Sequence, residues 1–349
     1  MVQAQYISRP LHFIRPAGTS RGVLHHKPCW YIMLTSENET KGVGDVSFIP
    51  GLSVEDGDEM DIKLDHICKL ICLGEMNPAQ KLPSLPGIEF ALETALKDLA
   101  TGGKALLHPS AFTEGLSGIP TNGLIWMGDR DFLMEQIRDK LKAGYRVLKM
   151  KVGALDFGEE KQVLERIRSE YGGGELEIRL DANGAWSPAE ALRNMELLSA
   201  YSIHSIEQPI KAGQIAAMAE LCGKAAIPVA LDEEIIGIAD PEAQENLLQQ
   251  IHPRYIILKP GLLGGFSAAE QWIGLAEKLN IGWWVTSALE SNIGLSAIAQ
   301  WTASLGVSVP QGLGTGSLYS NNIPSPLEIR ADALWYDPEL VWNLKDLHF

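Results

Sequence analysis

From about position 121 onward the chain repeats one unit: a short apolar run, then a helical stretch, then the next run. Strand-like segments fall at 123–126, 146–152, 177–181, 203–207, 228–232, 255–259, 282–286 and 307–312. Helix starts between them are marked. Ser187-Pro188-Ala189-Glu190 places serine at the N-cap, proline at the first helical position and glutamate at the third, and Asp240-Pro241 opens another helix in the same manner. Apolar strands alternating with helices predict a (β/α)-barrel of parallel strands. An open doubly wound sheet is the competing architecture. It normally carries a glycine-rich phosphate turn after its first strand, whereas Gly172-Gly173-Gly174 precedes a strand instead of opening a helix.

The ends of these runs carry charge. In Val147-Leu148-Lys149-Met150-Lys151-Val152 the two lysines stand two residues apart, so on a strand both ammonium groups face one side. Like charges held together inside a fold are costly unless anions compensate them. Asp181, Glu207, Asp232 and Lys259 end the following runs, at intervals of 30, 26, 25 and 27 residues counted from Lys151. In a barrel, strand carboxyl ends and the loops after them build the catalytic face. Three carboxylates from adjacent strands can surround Mg²⁺, and Mn²⁺ accepts the same all-oxygen donors; the plainer alternative is that each acid caps a helix or pairs with a lysine. A metal-bound carboxylate substrate could lose an adjacent proton to a lysine whose pKa is lowered by a neighbouring cation. A Schiff-base lysine is the rival role, but it needs no trio of acids. Arg179, two residues before Asp181, is expected to point into the barrel as a structural partner of a buried carboxylate, and His204 to face outward toward the helices.

The first 110 or so residues lack this period. Segments 6–13, 29–35 and 42–48 read as strands, and 54–73 and 88–100 as helices, the second with Ile88, Leu92, Ala95, Leu96 and Leu99 on one face. The acidic run Glu55-Asp56-Gly57-Asp58-Glu59-Met60-Asp61 reads as a solvated loop and helix start, with a weak cation site as the alternative. Apolar residues make up 46% of the 349, enough for a sizeable core, and the net charge of −15 argues against nucleic acid and anionic membranes as partners. No charged-then-apolar leader opens the sequence, and no uncharged apolar stretch approaches the ~20 residues of a membrane span. Cys29, Cys68, Cys72 and Cys222 are scattered and lack zinc-site spacing, which suggests a reduced, cytoplasmic protein. Residues 19–22, between two strands of the first domain, are placed to be mobile; oligomeric state is left open.

With those residues in place, the chain resembles the enolase superfamily, in its muconate-lactonising subgroup. The resemblance rests on Lys-x-Lys on the second strand, acids ending the third, fourth and fifth, and lysine ending the sixth. Three segments are similar to the o-succinylbenzoate synthase family: Gly44-Asp45-Val46-Ser47-Phe48-Ile49-Pro50-Gly51-Leu52-Ser53, Thr286-Ser287-Ala288-Leu289-Glu290-Ser291-Asn292-Ile293-Gly294 and Gly312-Leu313-Gly314-Thr315-Gly316. Their plainer readings are a surface turn, a helix N-cap and a flexible loop. The resemblance implies an α/β fold: a TIM-like, modified (β/α)7β barrel over 116–320, an α+β capping domain over 1–115, and a C-terminal return over 321–349 that packs on the cap. It implies Mg²⁺ (or Mn²⁺) held by Asp181, Glu207 and Asp232, with Lys151 as base, Lys259 as the cation facing the enolate and Lys149 as the auxiliary lysine that tunes Lys151. Leu52, Ser287, Ser291 and Gly314 would touch a small carboxylate substrate. The implied reaction is a syn elimination of water from 2-succinyl-6-hydroxy-2,4-cyclohexadiene-1-carboxylate. Dipeptide epimerase and N-acylamino acid racemase chemistry on the same scaffold is the nearest alternative, with Lys151 and Lys259 as opposed bases. The Asp-x-Asp usual after the eighth strand of dipeptide epimerases is absent from 312–316. A barrel retained as a non-catalytic scaffold would be expected to have lost one of the six charges.

Overall fold

The computed structural model describes residues 2–19, 22–153, 156–345 and 347–349. The expected mobile segment 19–22 therefore lies partly outside the described residues. In the N-terminal part, β1 (Gln3–Ser8), β2 (Leu11–Thr19), β3 (Gly22–Lys27), β4 (Trp30–Thr35) and β5 (Lys41–Val46) precede α1 (Met60–Leu73) and α2 (Pro86–Ala100). β1, β4 and β5 form an antiparallel sheet, and β2–β3 a separate hairpin. The run expected to be one strand at 6–13 is two, because it is broken at Arg9-Pro10 and proline has no N–H to continue a ladder. Ile88, Leu92 and Ala95 of α2 enter the cap core with Leu64, Ile67 and Ile71 of α1. Helix and sheet approach so closely that a Cβ on Gly44 of β5 would lie 1.9 Å from the Ala91 carbonyl oxygen; only glycine fits there. The acidic run is not all solvated: Glu55 is buried and accepts from the Gly87 amide at 2.6 Å, and Asp56 caps the short 3₁₀ turn before α1.

Next come β6 (Ile119–Pro120), β7 (Gly123–Ile125), α3 (Arg130–Lys142), β8 (Val147–Lys151), α4 (Phe157–Glu170), β9 (Glu177–Asp181), α5 (Pro188–Leu198) and β10 (Ile203–Glu207). The series continues with α6 (Ile215–Lys224), β11 (Val229–Leu231), α7 (Pro241–Ile251), β12 (Tyr255–Leu258), α8 (Pro260–Leu263), α9 (Phe266–Lys278), β13 (Gly282–Val285) and α10 (Asn292–Ser304). β7 to β13 form one parallel sheet in sequence order. The eighth strand expected at 307–312 is reduced to Gln311 and Gly312, which bridge Thr121 on one edge and Thr286 on the other and so close the barrel. The Gln311 side chain reinforces the closure by accepting from the Val285 amide at 2.7 Å. This is a (β/α)7β barrel with a sheet-rich cap.

Alternation along β8 divides its side chains: Leu148, Met150 and Val152 join the core between strands and helices, which leaves Lys149 and Lys151 for the interior. The barrel base is closed by Ala230, Ile257 and Trp284. Arg179 lies over Trp284, 4.4 Å from its ring centre, and pairs with Glu177 at 2.8 Å. That partner is one third exposed, not buried as expected. His204 does not face the helices. A register shift between Ile203 and Ser205 turns it onto Tyr255, with ring centres 5.0 Å apart, and toward Trp284. The C-terminal segment packs on the cap through Tyr319, Ile323 and Leu347, which share a cluster with Leu11, Tyr31 and Met33. Its hairpin, β14 (Leu327–Arg330) and β15 (Ala333–Tyr336), pairs instead with β6.

Candidate active site

Parallel register brings the six charges to one end of the barrel. Lys151 is level with Asp181, and Asp181 with Glu207; Asp232 and Lys259 each follow directly on the last residue of β11 and β12. Lys149 Nζ bridges Asp181 Oδ2 at 2.9 Å and Glu207 Oε1 at 2.7 Å. Lys151 Nζ donates to Asp181 Oδ2 at 3.0 Å and to Asn183 Oδ1 at 2.6 Å. Lys259 Nζ is paired with Asp232 Oδ2. Asp181, Glu207 and Asp232 are all buried, and so is Lys149.

Burial raises the Glu207 carboxyl well above its ordinary range, and the neighbouring Asp181 pushes it the same way. Burial acts in the same sense on Asp181, but Lys149 and Lys151 outweigh it and hold that carboxyl low. Burial would depress both Lys149 and Lys259; Asp181 and Glu207 overcome it for the first and Asp232 for the second, so both ammonium pKa values are raised.

Two further side chains fix this array, and neither stood out as a site residue in the sequence. Asn183 holds Lys151 through its oxygen and donates its amide to Glu233 at 3.0 Å, which sets the orientation of the amide. It does so from a left-handed backbone (φ 44°), a region asparagine tolerates; its place before Gly184 was the available signal. Gln208, also left-handed at φ 41°, accepts from the Asp232 and Glu234 amides at 3.1 and 3.2 Å and so ties the end of β10 to that of β11.

Above the charges lies a cavity of about 200 Å³. Lys149, Lys151, Asp181 and Lys259 line its floor, and Leu24, Ile49, Leu52, Trp126 and Leu289 are among its apolar walls. Of the four residues expected to touch substrate, Leu52, Ser287 and Gly314 line it. Ser291 does not: it is fully buried, its hydroxyl donates to Asp45 Oδ2 at 2.5 Å, and Ser291 Oγ caps α10 by accepting from the Ile293 amide.

Among the described residues, no three His, Cys, Asp or Glu side chains stand grouped as an ion site, and lysine ammonium groups lie against the carboxylates. The donor chemistry nevertheless fits a hard divalent cation. Asp232 Oδ1 is buried with no hydrogen-bond partner among the described residues, an orphan acceptor beside two more carboxylates.

Comparison with known proteins settles the family. Residues 133–334 match the enolase C-terminal domain-like family. An o-succinylbenzoate synthase from Desulfotalea psychrophila is 45% identical, over 94% of this chain and 97% of that protein. The chain belongs to the enolase superfamily, among its o-succinylbenzoate synthases. The crystal structure of MenC from Desulfotalea psychrophila superimposes with a TM-score of 0.86 at 42% identity, covering 96% of this chain and 99% of that one. The L-Ala-D/L-Glu epimerase of Bacillus subtilis is more distant, 25% identical over 87% of this chain and 84% of its own. Members of the superfamily depend in general on a divalent metal, and this family is one of carbon–oxygen lyases.

Proposed function

We propose that the protein eliminates water from 2-succinyl-6-hydroxy-2,4-cyclohexadiene-1-carboxylate to give 2-succinylbenzoate, as a Mg²⁺-dependent step of menaquinone biosynthesis in the cytoplasm. The observation that carries this reading is the set of three buried acids, ion-paired with three lysines, beneath an apolar cavity, in a chain of the o-succinylbenzoate synthase family. The four free cysteines fit a reduced compartment.

Asp181, Glu207 and Asp232 would hold the ion, which when bound supplies Lewis-acid stabilisation of the charge developing on the substrate carboxylate. The chain's own groups do the rest. Lys151, in the cavity floor, takes the proton from the carbon next to the carboxylate and then returns it to the departing hydroxyl, so that proton and hydroxyl leave from the same face. Lys259 stays an ammonium and faces the enolate. Lys149 keeps Asp181 and Glu207 at a fixed separation through its two bonds. The six nominal charges cancel, so a divalent cation and a dicarboxylate substrate enter as a second balanced pair. Apolar walls exclude water from the reacting face and suit the substrate ring, and aromatisation of that ring drives the elimination forward.

The same two lysines on one cavity could racemise an N-acylamino acid, and one assay separates the reactions. Purified protein is given the cyclohexadiene acid, followed by absorbance, and separately N-acylamino acids and dipeptides in D₂O, followed by NMR. The expected result is loss of the diene without α-proton exchange in the dipeptides. Exchange without elimination would replace the synthase reading with the epimerase or racemase one.

A further inference from the structure

Two fully buried carboxylates take no part in the chemistry above: Asp45 in β5 of the cap and Glu290 in the loop after β13 of the barrel. Each reaches across the boundary between cap and barrel, in opposite directions. Ser47 of the cap donates to Glu290 Oε1 at 2.7 Å. Ser291 of the barrel donates to Asp45 Oδ2 through its amide at 2.7 Å and its hydroxyl at 2.5 Å. The second Glu290 oxygen takes the Ser287 hydroxyl at 2.6 Å and the Ala288 amide at 2.7 Å, and so folds the barrel loop around itself. The Lys27 ammonium, buried and without a hydrogen-bond partner among the described residues, acts electrostatically on Glu290. Gly261, two residues beyond Lys259, is pressed into the same place: a Cβ there would lie 2.3 Å from Ser47 Cβ and 2.8 Å from Glu290 Oε1.

Both stitched segments run straight into the cavity. The cap strand continues to Ile49 and Leu52, and the barrel loop carries Ala288 and Leu289; these four pack with Leu262 in one apolar cluster and line or flank the cavity. Sliding one segment against the other would strip Glu290 Oε1 of its Ser47 bond and Asp45 Oδ2 of both Ser291 bonds, leaving Asp45, among the described residues, only the Cys29 thiol at 3.4 Å. Lost bonds to a buried carboxylate are costly in a protein interior.

We propose that Asp45 and Glu290 form a reciprocal clasp between cap and barrel that holds the two apolar cavity walls in register. They are positioning residues, and their effect falls on substrate binding and not on the proton-transfer groups. The substrate in this statement rests on the dehydration reading; the coupling of the two walls does not.

The test uses the full chain, with Ser47→Ala and Ser291→Ala as mild variants and Glu290→Gln as the severe one, so that misfolding of the last still leaves two. Amide hydrogen exchange is followed at 48–52 and 286–290. The clasp predicts that Ser47→Ala in the cap speeds exchange in the barrel loop, and Ser291→Ala in the cap segment, each by about tenfold. Faster exchange confined to the substituted segment overturns it. For the cyclohexadiene acid, KM should rise by about fivefold or more with kcat within about twofold, and Mn²⁺ affinity should stay unchanged. Coupled exchange with unchanged KM would overturn the role in binding. If the unsubstituted protein fails to turn over the diene, the dehydration reading falls, while the exchange result still decides the clasp.

Discussion

At the scale of single residues, one oxygen organises the centre: Asp181 Oδ2 receives both Lys149 and Lys151. Two lysines two apart on a strand made that convergence legible, because side-chain alternation is a property of the strand itself. Their acidic partners were legible from the period alone. The residues that hold them were not: the roles of Asn183 and Gln208 depend on left-handed backbones and on where neighbouring strands end, and no local pattern encodes either. Ser291 misled for a related reason, since a helix-capping serine and a substrate-binding one look alike until Asp45 is seen beneath it. Replacing Lys151 with alanine removes the group assigned to proton transfer while Lys149 still compensates Asp181. We expect normal folding by circular dichroism and a loss of elimination of about 10²–10⁴-fold, the usual contribution of a positioned base.

At the scale of elements, helix starts were readable because capping is local. The Ser187–Glu190 box is formed as the sequence implies, with Ser187 Oγ accepting from the Glu190 amide at 3.4 Å and Glu190 Oε2 accepting from the Ser187 amide at 3.0 Å. Ser187→Ala should lower unfolding free energy by about 1 kcal/mol, measured by urea titration, with activity kept. The shrunken eighth strand and the bulge that redirects His204 could not be read, since both are set by closing the sheet on itself. A pH effect belongs to α2. Asp98 is buried there, accepts the Val43 and Ala105 amides at 3.1 and 2.7 Å, and has its pKa raised by burial against those bonds. A carboxyl whose folded pKa exceeds its unfolded value adds stability below the unfolded pKa, about 4, and that stability is lost as pH rises through the folded one. Unfolding free energy of Asp98→Asn, measured from pH 4 upward, should therefore fall less steeply with pH than that of the unsubstituted protein. Parallel slopes would contradict the assignment.

At the scale of the whole molecule, barrel and cap divide the work: strand ends supply the charged floor, and the cap adds Leu24, Ile49 and Leu52 to the walls. The barrel was legible because its period is repeated many times; how the cap meets it was not, because that depends on contacts such as Ser47 to Glu290 between residues 243 apart in sequence. Among the described residues no helix is long and apolar enough to cross a membrane. The proposed centre is a divalent cation held by Asp181, Glu207 and Asp232 with Lys151 and Lys259 beside it. The direct measurement is turnover of the cyclohexadiene acid before chelation, after exhaustive chelation and after Mg²⁺ is restored. The account predicts full loss on chelation and full recovery with Mg²⁺; turnover that survives the chelator would contradict it.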